Sequence, residues 1–376
     1  MARHAFPGIH TDEQLELRKV VRAFLDRHSD EAEVRRLLAT EDGFDRALWR
    51  RMASELGLQG LSIPEEYGGS GFGYIEAGLV FEEAGRALLC APYFATVALA
   101  AEALLRSGDT AACKELLPGI AAGQTVATLA LGRDPTTWAR RRGDGWEITG
   151  TEKYVPDGHV ADLVLVVCDT DADTDSDTET GPSLFAVDGV ASGLTRAALP
   201  TLDQTRKQAR LTFDAAPARL IGTQGGAEPV LEQTLATAAV LLAAEQVGAA
   251  SKALELAVEY AGLRVQYGRP IGSFQGVKHL CADLVVELEA ANSALYDALW
   301  SLDAGSEDVA LCAAVARVFC TEAYTRIAGG CIQVHGGIGF TWEHPAHLYF
   351  KRAKSSEVLL GTPAHHRGRV ASLLGL

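Results

Sequence analysis

No two cysteines in this 376-residue sequence have CxxC or zinc-like spacing. The seven (Cys90, Cys113, Cys168, Cys281, Cys312, Cys320 and Cys331) are odd in number. A disulfide framework or a structural zinc site is therefore not expected; reduced, mostly buried thiols in a cytoplasm are. Positive charge is also short: 34 Lys and Arg face 49 Asp and Glu, for a net charge of −15. That balance argues against non-specific nucleic-acid binding and against attraction to anionic membranes. It leaves room for a polyanionic small ligand held by a local positive patch. No apolar run reaches about 18 residues, and the opening MARHAFPGIHTDEQ lacks an apolar signal core. Neither a membrane span nor a secretory leader is expected. Proline is sparse at 13 residues, while Ala and Leu dominate many stretches, which favours helix.

What is present is globular in composition, with 48% hydrophobic and 22% charged residues, and long enough for two or three domains. Thr11-Asp12-Glu13-Gln14 resembles an N-cap, and Leu15, Val20, Val21, Phe24 and Leu25 follow at helical spacing. Further helices are expected near Asp45 to Leu56, Tyr74 to Ala87 and Val97 to Ser107, with a Gly-rich loop at 57–73. From about Gly123 the texture changes to short β-rich runs separated by Gly, Asp and Pro: TVATLALG, GWEITGTEKYV, ADLVLVVCD, SLFAVD and ARLTFD. The acidic stretch CDTDADTDSDTETGPS (168–183) lacks the spaced Gly and terminal Glu of a calcium loop, and reads as a solvated hairpin tip. Helical texture resumes near Pro229, apolar almost all round from Ala238 to Ala244, as in a helix buried on several sides. The expectation is an α+β multidomain protein: an N-terminal helical domain (1–120), a middle β-barrel or sandwich domain (121–228) and a C-terminal four-helix-bundle domain (229–376).

Three segments then carry a specific pattern: IPEEYGGSGFGYIEAGLVFEEAGR (63–86), RVQYGRPIGSFQGVKHLCADL (264–284) and QVHGGIGFTWEHP (333–345). In this order they resemble the acyl-CoA dehydrogenase family, across nearly the whole chain. The resemblance implies an FAD flavoprotein that binds its substrate as a coenzyme A thioester and passes electrons to an electron-transfer flavoprotein. In such proteins a carboxylate removes the α-proton while the β-hydride leaves to the flavin. The weakly acidic α-carbon demands a well-placed base. Each FAD would lie at a subunit interface. The half from the neighbouring subunit looks intact: Arg264 matches the pyrophosphate-binding Arg, whose fork suits phosphate. Tyr267 takes the aromatic position of the R-x-x-F-G motif. Gln275 matches the Gln that follows that motif, Gln333, Gly336 and Gly337 match the stretch whose backbone approaches the adenosine-diphosphate portion, and Thr362 stands in the preserved Gly-Thr turn. The half from the chain's own β domain looks eroded. LALGRDPTTW (129–138) lacks the Glu-Pro and Gly-Ser-Asp elements. Tyr154 remains to cover a flavin face, Pro156 brings no backbone donor, and Thr136 or Thr137 is left to supply a hydroxyl.

The two seats used by the family's catalytic Glu fall on Leu360 and Ala238, and neither side chain can take a proton. The neighbouring family Arg and Asp become Ala239 and Ala236. Glu245, seven residues after Ala238, is a candidate relocated base or a satisfied structural carboxylate. Glu357 reads as salt-bridged or solvent-facing. His365 and His366 read as surface or helix-start residues, or as flavin or nucleotide contacts. Three readings follow. The chain is a base-deficient subunit of a heteromeric acyl-CoA dehydrogenase, as in actinobacterial steroid-side-chain types, completing the FAD site of a homologous partner. Or it is a homomeric dehydrogenase using Glu245. Or it is a flavin oxidase, a monooxygenase or a non-catalytic homologue on the same fold.

Overall fold

In a computed structural model of the chain, residues 10–131, 136–170 and 181–376 are described. The helices are α1 (Asp12–His28), α2 (Glu31–Leu38), α3 (Arg46–Leu56), α4 (Tyr74–Arg86), α5 (Glu102–Arg106), α6 (Thr110–Ala121), α7 (Ala227–Leu263), α8 (Gln275–Asp303), α9 (Val309–His335), α10 (Ala346–Val358) and α11 (Pro363–Leu373). The strands are β1 (Ala127–Ala130), β2 (Trp138–Arg142), β3 (Gly145–Pro156), β4 (Leu163–Thr170), β5 (Pro182–Asp188), β6 (Leu194–Leu199) and β7 (Gln208–Ile221), with a two-residue hairpin pair β8 (Val265–Gln266) and β9 (Arg269–Pro270). The chain divides into two compact units. One comprises residues 1–34, 73–89 and 240–376, the other 35–72 and 90–239. Both are discontinuous in sequence, so the helix–strand–helix order is an order of segments rather than of compact bodies.

The second unit is built on the strands. β4 pairs with β2, β2 with β3, β3 with β7, β7 with β5, and β5 with β4, so the pairing closes on itself into a barrel. Closure removes the open edges that a sandwich would leave. β1 adds to β4 in parallel and β6 to β7. β4 is buried on both faces over its first six residues, whereas β7 alternates, with Ala209, Leu211 and Phe213 facing the barrel core beside Val164, Val166 and Phe185. β2 and β6, rich in Arg and Ala, were not signalled by apolar runs. Before the barrel, Phe94–Ala101 forms a π-helical stretch leading into α5. The acidic stretch falls mostly at 171–180, outside the described residues.

The first unit is helical. Thr11 caps α1 as anticipated from sequence, and the structure completes the cap as a box, the Thr11 hydroxyl accepting from Gln14 N while the Gln14 side chain accepts from Thr11 N. α4 and α7 meet backbone to backbone. A Cβ on Gly85 would lie 1.9 Å from Glu245 O, and one on Gly248 1.8 Å from Glu82 O. Only glycine permits that approach. It buries Glu82 and Glu83, which are neutralised by Arg18 at 3.0 Å and Arg22 at 2.6 Å from α1. The end of α8 caps the start of α4: the Asp303 carboxylate accepts from Tyr74 N and Ile75 N. α7 is long and apolar enough to cross a membrane, but 94% of its apolar window is buried, which makes it a core helix.

Substituting Gly248→Ala or Gly85→Ala should therefore force the two helices apart and cost about 3 kcal/mol of stability. Urea unfolding monitored by circular dichroism reads this. A midpoint within experimental error of the unsubstituted protein would contradict the close crossing.

Candidate functional site

α10 ends in a turn whose geometry its sequence does not favour. Leu359 has φ −68° and ψ 130°, Leu360 has φ 59°, and Gly361 N donates to Val358 O at 3.3 Å. These values define a type II turn, whose third residue is normally Gly or Asn. A leucine held left-handed there costs about 1–2 kcal/mol, and Leu360 is only 7% exposed. Gly361, at φ 105°, leads to Thr362, which caps α11 by accepting from His365 N at 3.3 Å, with Pro363 in the first turn.

The turn is gripped by groups outside it. Arg317 of α9, fully buried, donates from Nη2 to Ser356 O at 3.0 Å, Leu359 O at 2.9 Å and Gly361 O at 3.5 Å, and from Nη1 to Gln246 Oε1 at 2.6 Å. Its charge sits against the last carbonyls of α10, the negative end of that helix. Thr321 also donates to Gln246 Oε1, at 3.2 Å. His366 Nε2 lies 3.1 Å from Leu360 O and donates to it. Burial, then the neighbouring Arg317 charge, pushes the His366 imidazole down to about 4, so it is neutral at physiological pH.

Glu245 does not face this turn as an unattached carboxylate. It pairs with Arg352 of α10 at 2.7 Å, the two side chains being 6% and 3% exposed. Glu357 pairs with Lys354, one turn back on α10. Ala236, Ala238 and Ala239 are buried on α7, where none offers a polar group.

The residues matched to a nucleotide site are exposed. Arg264, Gln275, Gln333, Gly336 and Gly337 all face solvent. A Cβ at either glycine would meet nothing within 4 Å, and Arg264 has no ion-pair partner among the described residues. The ends of α7 and α9 are brought together by a ring stack: Tyr260 lies 4.4 Å from His335, which lies 4.0 Å from His344. Tyr260 sits one turn before Arg264, and His335 immediately precedes Gly336. The Ile271 N bond to Arg264 O, 2.8 Å, folds the β8–β9 hairpin back toward the start of α8 and Gln275. Tyr267 and Gly268 form the hairpin tip, both at positive φ (51° and 78°), and Tyr267 is 93% exposed. Positive φ at both tip residues is the geometry of a two-residue hairpin turn. In the barrel unit, β3 bulges between Glu152 and Val155. The bulge sets Tyr154 at φ 60° and 66% exposed. Pro156 accepts from the Thr128 hydroxyl at 2.6 Å. Thr137 is buried; of LALGRDPTTW, 132–135 lie outside the described residues.

Arg317, Gln246, Arg352 and the Tyr260–His335–His344 stack were missed by sequence reasoning. The available signal was a lone Arg in the apolar run AAVARVFC, since a buried cation needs dedicated acceptors.

Residues 11–124 match the acyl-CoA dehydrogenase N-terminal domain family and residues 225–374 the C-terminal domain family. The chain is 36% identical over 360 residues to acyl-CoA dehydrogenase IpdE2 of Mycolicibacterium smegmatis, covering 96% of this chain and 98% of that protein. Among solved structures, a variant of the Tcur3481-Tcur3483 steroid ACAD superposes with a TM-score of 0.86 at 34% identity, covering 96% of this chain and 98% of the other. The ChsE4-ChsE5 complex from Mycobacterium tuberculosis superposes with a TM-score of 0.88 at 30% identity, covering 97% and 98%.

Because folded His366 and His10 are both pushed down to about 4 from 6.5, the unfolded chain binds more protons between those values. Stability should be full above pH 6.5 and fall as the pH drops through 4, by on the order of 2 kcal/mol per histidine. His366→Asn should make the urea-midpoint profile shallower over that window; an unchanged profile would refute the assignment to His366.

Proposed function

Since this chain belongs to the acyl-CoA dehydrogenase family, a group of oxidoreductases acting on the CH–CH bond of acyl-CoA, we propose that it serves as a base-deficient subunit of a heteromeric, FAD-dependent dehydrogenase. The observation that carries this reading is residue 360. Residue 360, the seat that the family resemblance gives to the base, is a buried leucine held at positive φ. Ala238 occupies the alternative seat, and Glu245 is committed to Arg352. A carboxylate already shared with a guanidinium is poorly placed to accept a substrate proton.

The residues present fit a pyrophosphate-bearing cofactor: an exposed Arg264 with no ion-pair partner among the described residues, and a glycine pair with open space at both Cβ positions. Arg264 would meet the pyrophosphate, the Gly336 and Gly337 backbone the adenosine-diphosphate portion, and Gln275, Gln333 and Tyr267 the flanking groups. When bound, the flavin supplies hydride acceptance. The chain's own residues bind and orient it and, in this reading, complete a site whose base belongs to a homologous partner. Exposed Leu263, Val265, Val286, Phe340 and Trp342 in the same unit supply apolar surface for that partner. The likeness to a structure described as a steroid ACAD favours a bulky apolar acyl group. Electron-transfer flavoprotein is the proposed acceptor and the cytoplasm the proposed location.

Purified alone, the chain should show negligible acyl-CoA dehydrogenation; full-occupancy FAD with full activity as a homomer would sink the proposal. Leu360→Glu should raise turnover by about 10²-fold. Glu245→Gln should instead cost about 3 kcal/mol of stability without removing any activity measured in the assembled enzyme. Abolished turnover in a stably folded Glu245→Gln protein would restore Glu245 as the base.

A further inference from the structure

We infer that Arg317 is the positioning residue of the 358–361 turn, holding the Leu359–Leu360 peptide in the orientation that sends the residue-360 side chain inward; its functional meaning rests on the base-seat reading above. Type I and type II turns differ by a flip of the central peptide, here Leu359–Leu360. In the type I form Leu360 would have negative φ, the form a leucine backbone prefers, and Leu359 O would point to the other side of the turn. The observed type II form needs something that holds Leu359 O where it is. Arg317 Nη2 does so at 2.9 Å, while the same nitrogen reaches Ser356 O and Gly361 O. The bond from Nη1 to Gln246 Oε1 at 2.6 Å anchors the guanidinium to α7. His366 takes the remaining turn carbonyl, Leu360 O, at 3.1 Å. The four carbonyls at 356, 359, 360 and 361 thus each meet a donor from outside the turn. A lysine, with a single nitrogen and no fixed fork, cannot hold the turn carbonyls and Gln246 Oε1 together.

Amide hydrogen exchange on the full chain tests the inference. Arg317→Lys and Arg317→Met should speed exchange at residues 359–362 by about tenfold or more, with little change along α9 and α7. In Arg317→Met, which removes the charge, the His366 titration, followed by NMR, should move up from about 4. Adding Leu360→Gly should suppress the exchange effect of Arg317→Lys, because glycine accepts positive φ without the clamp. Unchanged exchange at 359–362 in Arg317→Lys, or no suppression by Leu360→Gly, would overturn the inference; should Arg317→Met not fold, the lysine variant and its double decide. Activity separates the two ideas. If Leu360→Glu gains no turnover, the base-seat reading fails while the clamp is judged on exchange alone. If Leu360→Glu gains turnover, Arg317→Lys should cut the gained kcat by about tenfold with KM little changed; retention of that kcat overturns the clamp.

Discussion

The approach of α4 to α7 at Gly85 and Gly248 sets the terms for the rest of the helical unit. With backbones this close, the residues flanking the glycines, Glu82, Glu83 and Glu245, lose access to water. Buried carboxylates must be paired. Arg18 and Arg22 come from α1, and Arg352 from α10. The crossing therefore dictates where two other helices place three cations, and through Arg352 it fixes the helix whose end carries the candidate site.

That site follows from the same logic of buried charge. Arg317 enters the interior from α9, and the carbonyls available to it are those left unsatisfied at the end of α10. Its bonds satisfy the helix end and hold Leu360 in a conformation that leucine avoids. Strain at a buried turn is tolerated where surrounding bonds over-determine it. The neutral His366 beside Arg317 is a second consequence: burial first, and then repulsion from Arg317, disfavour a further cation there, so the imidazole serves as a plain donor.

Much of the fold was legible in the residues because local signals agreed with it. The Thr11 cap, the helix after Asp45, the β-rich runs and the apolar α7 each appear where their patterns point. β2 and β6 escaped notice because Arg-rich and Ala-rich strands lack the apolar alternation that flags a strand. Of the candidate site, the identities at 238 and 360 were legible by position. The roles of Arg317 and Arg352 were not, because their partners lie 39 to 107 residues away in sequence.

The sequence by itself determined the class of protein, the order of its segments and the residue identities at 238, 264, 336, 337 and 360. Those are matters of residue identity at spacings set by local geometry. Only the tertiary structure decided that the strands close into a barrel, that Glu245 is half of a buried ion pair, and that Leu360 sits left-handed under a guanidinium. Each of these depends on which distant backbone or charge arrives alongside. Long-range packing selects that neighbour, and no local pattern encodes it.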